Sequence, residues 1–398
     1  MSTTTMKAHG LDGKLVKPDW APLALDEVRA LLRQFPACGE PIEIQTVSPR
    51  PFSAASMVST SGGRVFIKRH HRSVRDRNGL LEEHRFLAHL LAHGAAVPRL
   101  FANDSDETAI EAGEWTYEVH EIPAGVDAYR DALSWTPFRS VEHAYSAGQA
   151  LAWLHRASVG YEAPRRKTQQ LVASFTVFAA NDASAEMDRY VELMPALLDY
   201  LRTRNCSSEA LGLLAPFHAE LQPLLSALDP LWTHNDLHAS NLFWSDDSED
   251  AKATSIIDFG LADRTNAVHD LAQAIERNIV EWLTLVPGSE IGDQGSVPVH
   301  LDHLTALLDG YDSVRPLSDE EAAALAPMTA LGHAEFALSE TDYFLSVLHS
   351  EDKAGMACEG WLVGHARWFR SADGTGLLDA IRHWADARAH RDEGVLRS

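Results

Sequence analysis

The stretch of residues 231–260 constrains the fold of this chain more than any other. It reads L-W-T-H-N-D-L-H-A-S-N-L-F-W, then an acidic spacer, then S-I-I-D-F-G. Two short apolar runs, 242–244 and 255–257, flank a polar turn rich in Asp and Ser, a pattern typical of a β-hairpin. Such a hairpin brings Asn241, before its first strand, close to Asp258, after its second.

The polar residues around this hairpin have the spacing of a catalytic segment. His234, Asp236 and Asn241 form H-x-D-x-x-x-x-N, and Asp258 opens D-F-G. Kinase-type phosphoryl transfer uses one Asp to accept the proton of the attacking hydroxyl, while an Asn and the Asp of D-F-G hold Mg²⁺ against the nucleotide phosphates. The pattern therefore predicts Asp236 as catalytic base and Asn241 and Asp258 as metal ligands. Taken singly, each residue is an ordinary core or turn residue, and His234 is expected to support the loop.

Length and charge limit the classes of partner. A chain of 398 residues is long enough for two lobes, and its net charge of −23 argues against nucleic acid or an anionic membrane as partner. The same charge is compatible with a cationic substrate, or simply with an acidic surface that keeps the protein dispersed. Neither a bilayer-spanning apolar run nor a signal peptide is visible, so we expect a cytoplasmic protein. The three cysteines, Cys38, Cys206 and Cys358, predict neither a disulfide framework nor a zinc site.

The first 70 residues predict a helix followed by a β-rich segment. Apolar spacing indicates a short helix over 25–35, and strands are expected at 42–47, 56–60 and 64–68. The link between the first two strands lacks G-x-G-x-x-G, which argues against a protein kinase. Small residues at its end, Ser56 among them, leave room for a nucleotide phosphate to approach the backbone.

A lysine and a glutamate follow that have the expected separation for a nucleotide site. Val65-Phe66-Ile67-Lys68 resembles the strand whose Lys contacts the α- and β-phosphates. A helix is predicted over 80–91, and Glu83 is favoured over Glu82 as the partner that orients Lys68. The alternative for Lys68 is a solvated side chain at a strand end.

Further strands are predicted at 100–103 and 115–120, and a Pro- and Gly-containing segment follows. This segment, 120–125, suits a hinge in which the backbone of Glu121 and Ile122 contacts the adenine ring. The expected domains are an amino-terminal nucleotide-binding lobe over 1–119, this hinge, and a helical lobe over 126–398 that holds the catalytic loop and the substrate site.

The remainder of the chain has mostly helical periodicity. Helices are predicted at 187–203, 209–227, 271–283, 301–310, 318–350, 354–370 and 376–390. Asp270 is expected either to cap the 271–283 helix or to brace the catalytic loop. No A-P-E sequence follows D-F-G, which is further evidence against a protein kinase.

Carboxylates on two of these helices are candidates for substrate binding. Glu276 lies on one, and Glu335, Ser339 and Asp342 share a face of the other. We expect Glu276, Glu335 and Asp342 to bind amines or sugar hydroxyls. The alternative is a solvated polar face.

Taken together, these residues resemble the aminoglycoside phosphotransferase and choline kinase-like family between about residues 42 and 280. The resemblance is carried by Ile67-Lys68, Glu83, Gly94, Val97-Pro98, Leu154-His155, His234, Asp236, Asn241, Ile257-Asp258-Phe259 and Asp270-Leu271-Ala272. It implies an α+β, protein-kinase-like bilobal fold with a small β-rich lobe and a large, mostly helical one. It also implies Mg²⁺ and ATP or GTP as phosphate donor.

The substrate is left open by this resemblance, because the carboxy-terminal third matches no substrate signature. The leading expectation is an antibiotic of the aminoglycoside or nucleoside type, phosphorylated on a hydroxyl to give resistance. The alternative is a metabolic sugar or amino-alcohol kinase, of the choline, homoserine, methylthioribose or hexosamine type. A nucleotide-binding pseudokinase is the third hypothesis, and the intact Lys68, Asp236, Asn241 and Asp258 argue against it.

Overall fold

The structure, a computed structural model, describes residues 8–9, 15–167, 170–282 and 297–396. The chain divides into two compact units. The first runs to Ala124 and also takes in Arg166 and Lys167, and the second begins at Gly125 and holds the remainder.

An antiparallel five-stranded sheet forms most of the first unit. Its strands lie in the order β3-β4-β5-β7-β6. The elements are β1 (Ala8–His9), β2 (Leu15–Val16), α1 (Leu25–Leu32), β3 (Pro41–Val47), β4 (Ala54–Thr60), β5 (Gly63–His71), α2 (Arg77–Ala92), β6 (Ile110–Ala112) and β7 (Trp115–Glu121). Buried apolar side chains from α1 and the central strands, such as Val28, Val58 and Val119, form one core. The predicted β-rich lobe is thus confirmed.

The strand expected at 100–103 is reduced to a single bridge. Leu100 pairs with His120, but the edge strand beside β7 is β6, which the sequence pattern did not indicate. The reason is Asn103, whose side-chain oxygen accepts hydrogen bonds from the backbone N–H groups of Ser105 and Glu107. An Asn that bonds its own local backbone turns the chain and ends a strand.

Helices dominate the second unit, with two short strand pairs among them. The elements are α3 (Val141–Ser158), α4 (Ala183–Glu192), α5 (Pro195–Leu201), α6 (Cys206–Leu221), β8 (Pro230–Thr233), β9 (Leu242–Trp244), β10 (Ala253–Ile256), β11 (Asp263–Asn266), α7 (Ala267–Ile279), α8 (Leu301–Asp312), α9 (Asp319–Leu331), α10 (His333–Ser346), α11 (Glu351–Gly355), a π-helical segment (Met356–Val363), α12 (Gly364–Phe369) and α13 (Ala372–Leu396). The pairs are β8 with β11 and β9 with β10, both antiparallel. Among the described residues, no helix combines the length and the apolarity that a membrane span needs.

Several predicted helices are interrupted. The one expected at 187–203 is two, α4 and α5, because Pro195 lacks an N–H and keeps Met194 out of the helical region. The helix at 209–227 ends as α-helix at Leu221 and continues as a 3₁₀ turn. The one at 318–350 is α9 and α10, which meet at Gly332.

Helices α3 and α8 approach so closely that both need glycine at the contact. A Cβ on Gly148 would overlap the carbonyl oxygen of Leu307, and one on Gly310 would overlap that of Tyr145. Because no side chain separates the two backbones here, polar side chains elsewhere on α3 lie within hydrogen-bond distance of those on α8.

The cysteine prediction is wrong for two of the three residues. Cys206, at the start of α6, and Cys358, in the π-helical segment, form a disulfide across a sequence separation of 152. Cys38 is a free, buried thiol. Such a long separation leaves no local signal, so only the packing of the two segments shows the pair.

Candidate active site

Two strand pairs bring the catalytic residues together in the second unit. The loop with Asp236 and Asn241 leaves β8, and the β9–β10 hairpin then returns the chain to Asp258. The side-chain amide of Asn241 donates to Asp236 Oδ2 at 3.1 Å and to the Asp236 carbonyl at 2.9 Å. The charge of Asp258 acts on Asp236 to raise its pKa, so these carboxylates are within electrostatic range.

Two residues of this site have a strained backbone. Asn235 and Asp258 have φ of 60° and 62°, in the left-handed region that disfavours side chains with a Cβ. Asn and Asp tolerate that region best, and Asn235 is further held by Thr233 and Thr265, whose hydroxyls donate to its side-chain oxygen at 2.8 and 3.1 Å. The role of Asn235 was missed in the sequence.

Helix α7 supports the catalytic loop through its buried polar side chains. Asp270 accepts the backbone N–H groups of His234 and Asn235 at 2.8 and 2.7 Å. Asn278, two turns further on, accepts the N–H of Ala239 and donates to the carbonyl of Leu237. The loop backbone is therefore fixed from one helix face.

The alternative role for Asp270, as the helix cap, is wrong. Helix α7 begins at Ala267 rather than at Leu271, and the capping side chain is that of Asn266, which accepts from His269 N. Because Asp270 lies inside the first turn, its carboxylate is available to the catalytic loop.

A buried histidine and tyrosine complete the surroundings of Asp270. His155 Nε2–H donates to Asp270 Oδ2 at 2.9 Å, and Tyr311 O–H donates to His155 Nδ1 at 2.7 Å. Burial lowers the pKa of His155, which keeps it neutral, as this donor and acceptor arrangement requires. Burial alone would raise the pKa of Asp270, but the hydrogen bond from His155 and the contacts with His234 hold it below its ordinary value.

His234 connects the catalytic loop to the D-F-G segment. Its Nε2–H donates to the Ile257 carbonyl at 2.9 Å, and its Nδ1 accepts the N–H of Asp236 at 3.1 Å. Its ring meets that of Phe259 edge-on, with 4.8 Å between centroids. These contacts agree with the supporting role that the sequence predicted for His234.

Asp236 has a cationic neighbour that the sequence analysis missed. Arg277 Nη1 lies 2.9 Å from Asp236 Oδ1, and the Arg277 side chain is only 1% exposed. Burial raises the pKa of the Asp236 carboxyl to about 6, although Arg277 and His234 act to lower it. A carboxylate of that basicity is still ionised at neutral pH and suits a general base. The available signal was the helical spacing, since Arg277 follows Asp270 by seven residues and so shares its face.

The donor atoms at this site fit a magnesium ion. Mg²⁺ prefers oxygen ligands, and carboxylates together with side-chain carbonyl groups are typical. Asp258 supplies a carboxylate. Asn241 uses its amide nitrogen toward Asp236, which leaves its oxygen as the atom that a cation would take. The residues present are therefore compatible with the predicted metal site.

Two of the predicted nucleotide residues, Glu83 and Lys68, belong to a buried charge cluster in the first unit. Glu83 is 3% exposed, and its Oε1 accepts hydrogen bonds from Arg75 Nε at 3.2 Å and from Arg166 Nη2 at 2.7 Å. Burial raises the pKa of Glu83, but the positive charges of Arg166, Arg75 and Lys68 outweigh it and lower the pKa. Lys68 is therefore close enough to act on Glu83. The rival, Glu82, is less buried and lies 3.6 Å from Arg166 Nε.

A second buried carboxylate, not anticipated from the sequence, lies beside this cluster. Glu118 on β7 is directly across from Lys68 on β5. Three histidine side chains, of His70, His84 and His120, lie within 3.0 Å of the Glu118 carboxylate. Burial acts to raise the pKa of Glu118, but these histidines hold it well below its ordinary value.

The remaining nucleotide predictions occupy strand positions. Ser56 is fully buried in β4, and its hydroxyl has no hydrogen-bond partner among the described residues. Glu121 ends β7, with its backbone N–H donated to the Arg99 carbonyl at 2.8 Å, and Ile122 follows it. The nucleotide contacts of all these residues stay predictions.

The three candidate substrate carboxylates have different surroundings. Glu276 Oε1 on α7 lies 2.9 Å from His365 Nδ1. On α10, Glu335 accepts the N–H of Val177 at 2.7 Å and the hydroxyl of Thr176 at 2.8 Å. Asp342 accepts the Gln170 side chain at 3.0 Å. The α10 pair thus holds the segment before α4, which favours a structural role for both.

Comparison with known proteins adds three findings. The sequence model of the phosphotransferase enzyme family matches residues 48–317. The homoserine kinase of Rhodospirillum rubrum is 28% identical over 256 residues, 62% of this chain and 64% of that protein. The homoserine kinase of Xanthobacter autotrophicus is 28% identical over 282 residues, 70% of this chain and 73% of that protein.

Solved structures resemble this fold. A microcompartment-associated aminopropanol kinase has a TM-score of 0.55 at 15% identity, over 88% of this chain and 99% of that one. An amicoumacin kinase in complex with AMP-PNP, Ca²⁺ and Ami has a TM-score of 0.53 at 14% identity, over 86% of this chain and 96% of that one. The expected kinase-like fold is therefore confirmed.

Proposed function

We propose that this chain, which belongs to the phosphotransferase enzyme family, transfers the γ-phosphoryl group of ATP or GTP to a hydroxyl of a small amino-acid-like or amino-alcohol metabolite. The observation that carries the proposal is the arrangement at Asp236. Its carboxylate is bonded to Asn241 and Arg277, is within electrostatic range of Asp258, and stands on a loop fixed by Asp270.

The proposed reaction needs one proton acceptor and a means of binding the phosphates. The acceptor O–H bond breaks and its proton passes to Asp236, while the hydroxyl oxygen forms a bond to the γ-phosphorus. The bond from that phosphorus to the bridging oxygen breaks, and the nucleoside diphosphate leaves. Asn241 and Asp258 would hold Mg²⁺, whose charge would neutralise that of the phosphates. Lys68 is the proposed phosphate ligand in the first unit.

Relatives favour the metabolic class of substrate over the antibiotic class. The two relatives described above are named homoserine kinases. Homoserine is an amino acid whose side chain ends in a hydroxyl. The structural neighbours include kinases of both classes and indicate the fold alone. We therefore place homoserine-type and amino-alcohol acceptors ahead of aminoglycosides and nucleosides, which reverses the order expected from the sequence.

A substrate panel with a base variant tests the proposal. Purified protein is incubated with Mg²⁺, ATP or GTP, and each of L-homoserine, 3-aminopropan-1-ol, choline and kanamycin, and phosphorylated product is measured by mass spectrometry. Asp236→Asn keeps the shape of the side chain but cannot take the proton, so kcat should fall roughly 10²–10⁴-fold with an unchanged melting temperature.

Asp246→Asn is the matched control. Asp246 is an exposed Asp in the turn between β9 and β10, and this variant should keep wild-type turnover. Near-normal turnover in folded Asp236→Asn would refute the base assignment. Nucleotide binding without transfer to any hydroxyl would instead favour the pseudokinase.

A further inference from the structure

Arg277 carries a buried positive charge with an incomplete set of partners. Nη1 bonds to Asp236 Oδ1 at 2.9 Å and to the carbonyl of Asn235. Nε is also buried, but among the described residues it has no hydrogen-bond partner. The carboxylate of Glu276 is 4.0 Å away, beyond hydrogen-bond distance. A buried charged donor left unpaired is costly, so its retention beside a catalytic base points to a ligand.

The chemistry of the unpaired group indicates an anion. A guanidinium presents planar, parallel N–H donors that match the two oxygens of a carboxylate. The donor without a partner among the residues that the structure describes is Nε, on the edge away from Nη1, which is already bonded to Asp236. A ligand whose carboxylate binds that edge would have only a few covalent bonds between this carboxylate and the hydroxyl that contacts Asp236.

Aromatic rings limit the size of a ligand at this position. The Arg277 guanidinium lies 5.7 Å from the ring centroid of Trp135 and 5.4 Å from that of Phe336. Trp361 meets Trp135 edge-on at 5.5 Å, and its indole N–H is buried with no hydrogen-bond partner among the described residues. Two rings therefore lie against the guanidinium and a third lies against one of them, which favours a small ligand over a multi-ring sugar.

The backbone at two of these rings is unusual. Trp135 has a φ of 61°, which is rare for a bulky residue, and Trp361 lies in the π-helical segment. Strained backbone and π-helical turns both occur preferentially at functional sites, where the surrounding structure maintains them. This is an observation independent of the Arg277 hydrogen bonds, and it concerns the same place.

We propose that Arg277 binds a carboxylate of the acceptor, so that the substrate is a small hydroxy amino acid rather than an amino alcohol or an aminoglycoside. This proposal rests on the proposed function, because it assumes that the acceptor hydroxyl lies on Asp236. Glu276 occupies the adjacent position of α7, with its Oε1 2.9 Å from His365 Nδ1. Its negative charge makes it the neighbouring group that would attract the ammonium of such an acceptor.

Three related probes test which group of the acceptor is recognised. L-Homoserine has both charged groups, 4-hydroxybutanoate lacks the amine, and 3-aminopropan-1-ol lacks the carboxylate. Each is titrated calorimetrically into the wild-type protein with Mg²⁺ and a non-hydrolysable ATP analogue. We expect 3-aminopropan-1-ol to bind about 10- to 100-fold more weakly than L-homoserine, the range for a lost hydrogen bond to a charged group.

Variants assign the effect to one residue. Arg277→Met should lower the affinity for L-homoserine and 4-hydroxybutanoate by the same factor and leave that for 3-aminopropan-1-ol unchanged. Arg277→Lys should bind the two carboxylate probes with affinities between those of wild type and Arg277→Met. The control is Arg156→Met, an exposed arginine on α3 that also lies over a tryptophan ring, and it should match wild type with all three probes.

The outcomes separate this proposal from the proposed function. Equal affinity for L-homoserine and 3-aminopropan-1-ol, or binding of neither carboxylate probe, would overturn the role of Arg277, and the wild-type data alone decide this if a variant does not fold. A merely structural Arg277 would weaken all three probes alike. Arg277-dependent binding of L-homoserine without phosphorylation would support this proposal and refute the kinase activity.

Discussion

Helices α7 and α10 both bury acidic side chains, yet they use them differently. On α10, Glu335 and Asp342 accept hydrogen bonds from residues 170–177 of the chain itself. On α7, Asp270 bonds the catalytic loop, while Arg277 beside it keeps a buried donor with no partner among the described residues. The sequence nominated carboxylates on both helices for substrate binding.

What separates Glu335 on α10 from Arg277 on α7 is how far their polar atoms are already bonded within the fold. A buried carboxylate can accept the hydrogen bonds that backbone N–H groups would otherwise donate to water. It thereby stabilises a segment that has no regular secondary structure. A buried charge with an unpaired donor cannot be explained in that way. Buried charge is therefore evidence for a ligand only after its partners have been identified.

The largest effect is expected on α10. Glu335→Ala leaves the buried N–H groups of Thr176 and Val177 and the Thr176 hydroxyl without their acceptor. At about 1–3 kcal/mol for each unsatisfied buried group, the free energy of unfolding should fall by about 4 kcal/mol, measured by urea denaturation. An unchanged stability with a raised KM would instead return Glu335 to the substrate site.

The next effect concerns α7 and should appear in turnover. Asp270→Asn cannot accept both loop N–H groups and the His155 donor, so the catalytic loop loses its fixed position. We expect kcat to fall about 10- to 100-fold, as for other groups that orient a catalytic residue. Asp342→Asn on α10 is the matched control and should leave kcat unchanged. Equal losses in both variants would remove the distinction between the helices.

Each of the two helices also carries one buried histidine, and these predict a pH dependence. Burial lowers the pKa of His269 on α7 and of His333 on α10 to about 4, from 6.5. As the pH falls below 6.5, the unfolded chain binds protons before the native state does. The stabilising contribution of both histidines is thus complete above that pH and is lost toward pH 4.

Replacing either histidine should reduce this pH dependence. Between about pH 7 and about pH 5.5, each should account for about 1 kcal/mol of lost unfolding free energy. His333→Gln keeps a donor for the Leu362 carbonyl and does not titrate, so its stability should change less over this interval. A slope identical to that of wild type would show that the native and unfolded states bind a proton at His333 equally well, and so would contradict a lowered pKa.

The smallest effect should come from a neutral group on α10. Ser339 accepts the N–H of Val172 and donates to its carbonyl, at 3.1 and 3.0 Å. Ser339→Ala should therefore cost about 1 kcal/mol of unfolding free energy and leave kcat and KM unchanged. A raised KM for the acceptor would indicate that the α10 face contributes to the substrate site after all.

The sequence by itself determined the local features of the protein. The catalytic segment, its hairpin and the helix that follows D-F-G depend on spacings within about forty residues, which periodicity and turn chemistry report directly, although this helix begins at Ala267 rather than at Leu271. The kinase-like fold followed from that segment together with the β-rich first unit. The shared face of Glu335, Ser339 and Asp342 was also correctly anticipated, because helical spacing fixes it.

Only the tertiary structure decided which residues meet across long separations. The Cys206–Cys358 disulfide, the histidines around Glu118, and the bond from His155 to Asp270 join segments with no common periodicity. Likewise, no sequence pattern distinguishes a carboxylate bonded to the chain from one that is available to a ligand. Spacing determines which face a side chain occupies, whereas its partners come from whatever distant segment packs there, and those partners determine its role.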